Sequence, residues 1–200
     1  RARGYLARAQ VYFERAAVIG DARDERMLEL RTAEVAMMSG AFRPSVPTVG
    51  IESRHSDRVL HVVGRAIPTT QTGYTLRTHG TAVAQVSQGT EAHVFVQSGV
   101  VKGERPASDL VDGVWYHRHP GGSVFDLGHV RWLQENAEAL HRRVVELRPA
   151  ILHAHSDFIN GLLATAVGKA TGTPVVYESR GFWEETWLSR TRTTHGWVDG

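Results

Sequence analysis

The chain has no cysteine among its 200 residues. That excludes disulfide staples and thiolate-ligated metal centres. Lysine is almost missing too, with Lys102 and Lys169 the only two. The basic charge is therefore arginine, whose planar fork suits phosphate and carboxylate groups. Acidic residues interleave the arginines, and the formal net charge is only +2. There is no basic stripe with interleaved aromatics, so nucleic acid is not an expected partner. No apolar run approaches the ~20 residues needed to span a bilayer. The start, Arg1-Ala2-Arg3-Gly4-Tyr5, is polar and does not read as a signal peptide. The expected compartment is the cytoplasm, and peripheral contact with the inner face of a membrane is compatible with all of this.

What is present divides into three stretches. Residues 3–19 carry Tyr5, Ala9, Tyr12, Phe13 and Ala16 at helical spacing. Gly20-Asp21 interrupts them, and a second stripe of Met27, Leu30, Ala33 and Met37 ends at Gly40. Residues 1–40 are thus expected to form a helical hairpin of tetratricopeptide type. Residues 41–57, with Pro44, Pro47 and Gly50, read as a linker. From Arg58 to Gly200 the texture alternates between short β-rich runs and helical periods. Strands are expected at about 58–63, 91–96, 114–117, 150–155 and 175–178. Helices are expected over 73–88, 126–147 and 160–170, with residues 102–112 a polar connection. Such alternation predicts an α/β, Rossmann-like doubly wound parallel sheet with helices on both faces.

Ligands in such sheets bind beyond the carboxyl ends of the strands, and three segments put polar residues there. The first is Pro68 to Arg77, where Gly73 opens a helix and can turn backbone N–H groups toward an anion. It matches neither G-x-G-x-x-G nor the P-loop, so a nicotinamide dehydrogenase or a nucleoside triphosphatase is not expected. The second is His153-Ala154-His155-Ser156-Asp157, whose alternate residues share one face. A metal-binding string of this kind wants a further histidine where Phe158 stands and more ligands downstream, so no metal is expected. The third is Tyr177-Glu178-Ser179-Arg180 followed by Phe182-Trp183-Glu184-Glu185-Thr186-Trp187. Carboxylates and flat indole faces suit sugar hydroxyls and sugar C–H faces. Glu178 beside Arg180 is a candidate ion pair with a shifted pKa.

Together these segments resemble glycosyltransferase family 4. Thr72-Gly73-Tyr74-Thr75-Leu76-Arg77 is similar to the family's first βα loop, and Leu152-His153-Ala154-His155-Ser156 to its strand ending in His-x-His. Pro174 to Glu185 resembles a subgroup that builds bacterial surface or exopolysaccharide glycans. The resemblance spans about residues 57–195. It implies one half of a GT-B fold, the acceptor-side domain of a retaining, metal-independent hexosyltransferase. The nucleotide sugar would bind through a C-terminal donor domain that this chain is expected to lack, so the chain alone is expected to be inactive. A glycan or lipid-linked molecule would be the acceptor. The resemblance assigns Thr72, Gly73 and Tyr74 to the donor phosphates. Many members carry a histidine where this chain has Glu178 and Arg180, and those two are taken as the catalytic candidates. Arg77, His155, Trp183, Glu184 and Glu185 are the acceptor-binding candidates, with no cofactor and no metal. Two other readings stay open. One is a non-catalytic module whose hairpin docks a protein partner. The other is a metal-dependent hydrolase on His153, His155 and Asp157.

Overall fold

A computed structural model describes residues 11, 14–15, 22–99 and 107–181. The chain divides into two compact units. Within the first lies helix α1 (Ala22–Ser39), which ends where Gly40 turns left-handed at φ +79°. Phe42 then bonds back to Ala36 O at 2.9 Å. Most of the earlier helix of the expected hairpin lies outside the described residues.

The second unit holds a six-stranded sheet. Its strands are β1 (His55–Val63), β2 (Glu91–Val96), β3 (Ser108–Val111), β4 (Val114–Arg118), β5 (Pro149–His155) and β6 (Val175–Glu178). The order is β3-β4-β2-β1-β5-β6, and every pair is parallel except β3 with β4. The helices are α2 (Gly73–Ser87), the short α3 (Val124–Leu127), α4 (His129–Leu147) and α5 (Phe158–Thr171). This is the expected Rossmann-like α/β fold.

Strand β1 runs through the middle, and Leu60, His61, Val62 and Val63 have no solvent exposure at all. A central parallel strand covered on both faces needs such a continuous run. On one face α2 packs Tyr74, Val83 and Val86 against Val63, Val94, Val96, Val114 and Tyr116. On the other, Gly168 of α5 lies so near Val175 and the backbone of Thr173 that an added Cβ would clash. The small residue there lets helix and sheet touch.

Three expectations are corrected. Residues 102–112 are not wholly a connection: Ser108–Val111 form β3, an antiparallel hairpin with β4. Asp112 and Gly113 both have positive φ, 50° and 80°, as a tight hairpin turn requires. Residues 126–147 are not one helix. Gly128, left-handed at φ +77°, separates α3 from α4. The stretch before β1 is shorter than expected, because the strand begins at His55. That stretch is also tied down: Ser45 exchanges bonds of 3.0 and 2.7 Å with Gln134, and Val49 N bonds Ala170 O at 2.9 Å.

Candidate functional site

From β1 the sheet is built outward in two directions, to β2 on one side and to β5 and β6 on the other. The carboxyl ends of β1, β5 and β6 therefore flank a topological switch point, where open α/β sheets bind ligands. The segments at those ends are the ones the sequence singles out.

Thr72 caps α2 with extended backbone, φ −147°. Its hydroxyl accepts from Thr75 N at 3.3 Å, and Thr75 Oγ1 accepts from Thr72 N at 2.9 Å. This reciprocal box fixes where the helix starts. Gly73 follows, and a Cβ added there would meet no atom of the described residues within 4 Å. The helix start is thus open to an incoming group. Tyr74 folds inward: Arg180 lies over its ring at 5.4 Å, and its hydroxyl accepts from Asn160 at 3.4 Å. Burial pushes its hydroxyl pKa up to about 12, so it stays a neutral donor.

Glu178 is the hub. Its Oε2 accepts from Arg180 Nη2 at 3.0 Å and His155 Nδ1 at 2.9 Å, and lies 3.3 Å from His153 Nε2. Its Oε1 pairs with Arg77 at 3.0 Å. Partial burial pushes this carboxyl up, but Arg180 and His155 outweigh it and hold the group well below the usual range. Glu178 is therefore an anion at neutral pH and a poor base. Arg180 reaches further, donating to Tyr74 O at 3.1 Å and Thr78 Oγ1 at 2.6 Å. Its backbone N bonds Ser156 Oγ at 2.8 Å. The guanidinium thus ties the end of β6 to the first two turns of α2, and the Arg180 backbone ties it to Ser156 after β5.

Behind the hub lies a group that the sequence reading does not assemble. His61, from the middle of β1, contacts His155 Nε2 through Nδ1 at 2.8 Å and Gln85 of α2 through Nε2 at 2.8 Å. The rings of His61 and His155 stack at 5.0 Å, and those of His153 and His155 lie 4.2 Å apart. One nitrogen from each of His61, His153 and His155 falls within 4.8 Å of the others. The third imidazole missing at Phe158 is thus supplied by a neighbouring strand. A histidine within the otherwise apolar run Val59–Val63 is the only sequence signal for it. Asp157 does not join the cluster. It caps α5, accepting from Ile159 N at 3.0 Å. Burial holds all three imidazoles neutral, with His61 lowered to about 4.

The structure therefore gathers Thr72, Gly73, Tyr74, Arg77, His155, Glu178 and Arg180 at one edge of the sheet. Trp183, Glu184 and Glu185 lie outside the described residues. Asn160 braces the floor: it donates to His155 O at 2.6 Å and accepts from Gln97 at 2.7 Å. Among the described residues, no helix is long and apolar enough to cross a membrane.

No curated protein matches this chain. Residues 72–198 match the family described as the glycosyl transferase 4-like domain, from the cap of α2 through the β6 segment. With that match over well more than half its length, on a Rossmann-like sheet, the chain belongs to the glycosyl transferase 4-like domain family, and its chemical class is glycosyl transfer.

Proposed function

We propose that this domain is the acceptor side of a retaining hexosyltransferase that uses a nucleotide sugar, with a surface-glycan or lipid-linked molecule as acceptor. The nucleotide sugar would be held by a second Rossmann-like domain completing a GT-B fold, with this domain alone inactive. The hub around Glu178 is the observation that carries the reading. Its carboxylate is ionised, partly exposed and flanked by two guanidiniums at the switch point. The carboxylate can accept an acceptor hydroxyl. Arg77 can follow a ligand, because its side chain is 60% exposed. The open start of α2 at Thr72-Gly73-Tyr74 suits a diphosphate, whose charge the helix dipole favours. Rate enhancement would come from positioning and from electrostatic stabilisation of the departing diphosphate. The work would be done on the cytoplasmic side, with peripheral membrane contact where the acceptor is lipid-linked, and α1 is available to a protein partner.

Gly73 supplies the test of the phosphate loop. Gly73→Val in the full-length enzyme is expected to lower transfer at least about tenfold. Folding should hardly change, because the new side chain meets nothing among the described residues within 4 Å. Helix propensity does not oppose the change, because glycine is the poorer helix former of the two. A folded variant with wild-type transfer would show that no phosphate approaches there.

The same reading includes no resident metal. The His61, His153 and His155 cluster has the ligand count for zinc, but its surroundings oppose a cation. Arg180 acts on all three imidazoles to lower their pKa values, and Arg77 and Arg180 already neutralise Glu178. Zinc added to the chelator-treated protein is expected to leave its melting temperature unchanged. Stoichiometric zinc that disappears on His153→Ala would instead favour the hydrolase reading.

A further inference from the structure

Gln85, His61, His155 and Glu178 form one unbroken line, from α2 through β1 and β5 to β6. Its steps are 2.8, 2.8 and 2.9 Å. The direction of its hydrogen bonds follows from counting protons. Glu178 is a carboxylate and can only accept. His155 must therefore carry its proton on Nδ1. A neutral His155 then has a bare Nε2, which only His61 Nδ1–H can fill. A neutral His61 in turn presents a bare Nε2 to Gln85. The amide NH2 of Gln85, not its oxygen, must face that nitrogen, a half-turn that leaves the side-chain shape unchanged. The opposite amide orientation needs three N–H groups on two rings, hence a buried imidazolium. Both rings have zero solvent exposure and Arg180 stands nearby, so that charge is strongly disfavoured.

A second line on the other face of the sheet behaves alike. Ser108 Oγ lies 2.8 Å from His117 Nδ1, His117 Nε2 lies 2.8 Å from His93 Nδ1, and His93 Nε2 lies 2.8 Å from Glu91 Oε1. Arg58 holds the other Glu91 oxygen at 2.9 and 2.6 Å. Neutral rings satisfy every bond here with no side chain turned. Each line runs serially into an arginine-held carboxylate. Only the first ends at the open edge of the sheet.

We propose that Gln85, His61 and His155 are positioning residues that lock Glu178 through a one-way chain of neutral imidazoles, presenting Oε1 and Arg77 to a hydroxyl-bearing ligand. Among the described residues, Oε2 is contacted by His155, His153 and Arg180, whereas Oε1 has only Arg77. The free lone pair therefore lies on Oε1. The functional part of this inference rests on Glu178 being a ligand-binding group. The chain itself does not.

Histidine-labelled protein separates the two. Long-range 1H–15N correlation at pH 7 should show His61 and His155 as neutral Nδ1–H tautomers, and His93 and His117 as Nε2–H. A protonated Nε2 on His61 or His155, or a doubly protonated ring, overturns the chain whatever the enzyme does. Gln85→Glu keeps the shape but cannot donate. It should load a proton onto the His61–His155 pair at pH 7 and, in the full-length enzyme, raise KM for the acceptor about fivefold or more. Predicted tautomers with unchanged kinetics in Gln85→Glu would overturn the positioning role. Loss of activity in Arg77 or Glu178 variants tests the site separately.

Discussion

Acidification from pH 7 to pH 4.5 is expected to destabilise the sheet domain by several kcal/mol. The cause is the buried neutral imidazoles. His61 is lowered to about 4 by burial, and His117 to about 3 by burial together with Arg143 and His93. His93, His153 and His155 shift the same way, again chiefly through burial. His61 faces Gln85, His153, His155, Glu178 and Arg180. His117 faces His93, Ser108, Trp115 and Arg143. An unfolded chain takes up protons at these histidines below about pH 6.5, while the folded one takes them up at lower pH. The unfolded state then binds more protons, so stability falls as pH falls. Each such imidazole contributes up to ~1.4 kcal/mol per pH unit within that window. A net stability of about 5–15 kcal/mol leaves little room for several of them. Glu91 and Glu178, both held low, extend the loss below pH 4.5 with the same sign. Urea melts at half-unit pH steps read this directly. A midpoint that stays flat between pH 7 and 4.5 would rule it out. His117→Gln should flatten the slope even if it lowers stability at pH 7.

At the hub, Glu178→Gln is expected to cut turnover at least about tenfold, or 1.4 kcal/mol of transition-state stabilisation. That change should also lower the melting temperature. Arg180 has a side chain only 6% exposed, and its carboxylate partner would be lost. Leaving such a group unpaired costs roughly 1–3 kcal/mol, which lowers melting by several degrees in a domain of this size. Arg77 is the cleaner probe. It touches the same carboxylate through Oε1 from a side chain 60% exposed. Arg77→Gln should therefore lower the melt by no more than about 4 degrees, since exposed pairs contribute ~0–1 kcal/mol. In the full-length enzyme it should still reduce turnover about tenfold. Wild-type turnover in Arg77→Gln, with Glu178→Gln merely unstable, would make the hub scaffolding.

Much of the architecture was legible in the residues. The apolar run through Val59 to Val63, the capped helix after Thr72 and the stop at Gly40 each follow from local chemistry. So does the adjacency of Glu178 and Arg180, two residues apart at the end of one strand. The β3–β4 hairpin had its own signal in Asp112-Gly113, a pair suited to a turn with two positive φ angles. The break at Gly128 was less plain, because one glycine inside a helical period is usually tolerated.

The sequence by itself determined the elements, the alternating α/β class and the edge of the sheet where polar side chains collect. Local sterics, capping and the period of burial decide those, and each acts over a few neighbouring residues. Only the tertiary structure decided which elements meet. His61 looked like one more buried position until β1 and β5 became neighbours and set it level with His153. Arg180 reaches Tyr74 and Thr78 across separations of 106 and 102 residues. No local rule specifies such partners. Strand order is a choice among globally packed arrangements, made by burying both faces of the sheet at once. The imidazole chain behind Glu178 is a consequence of that choice.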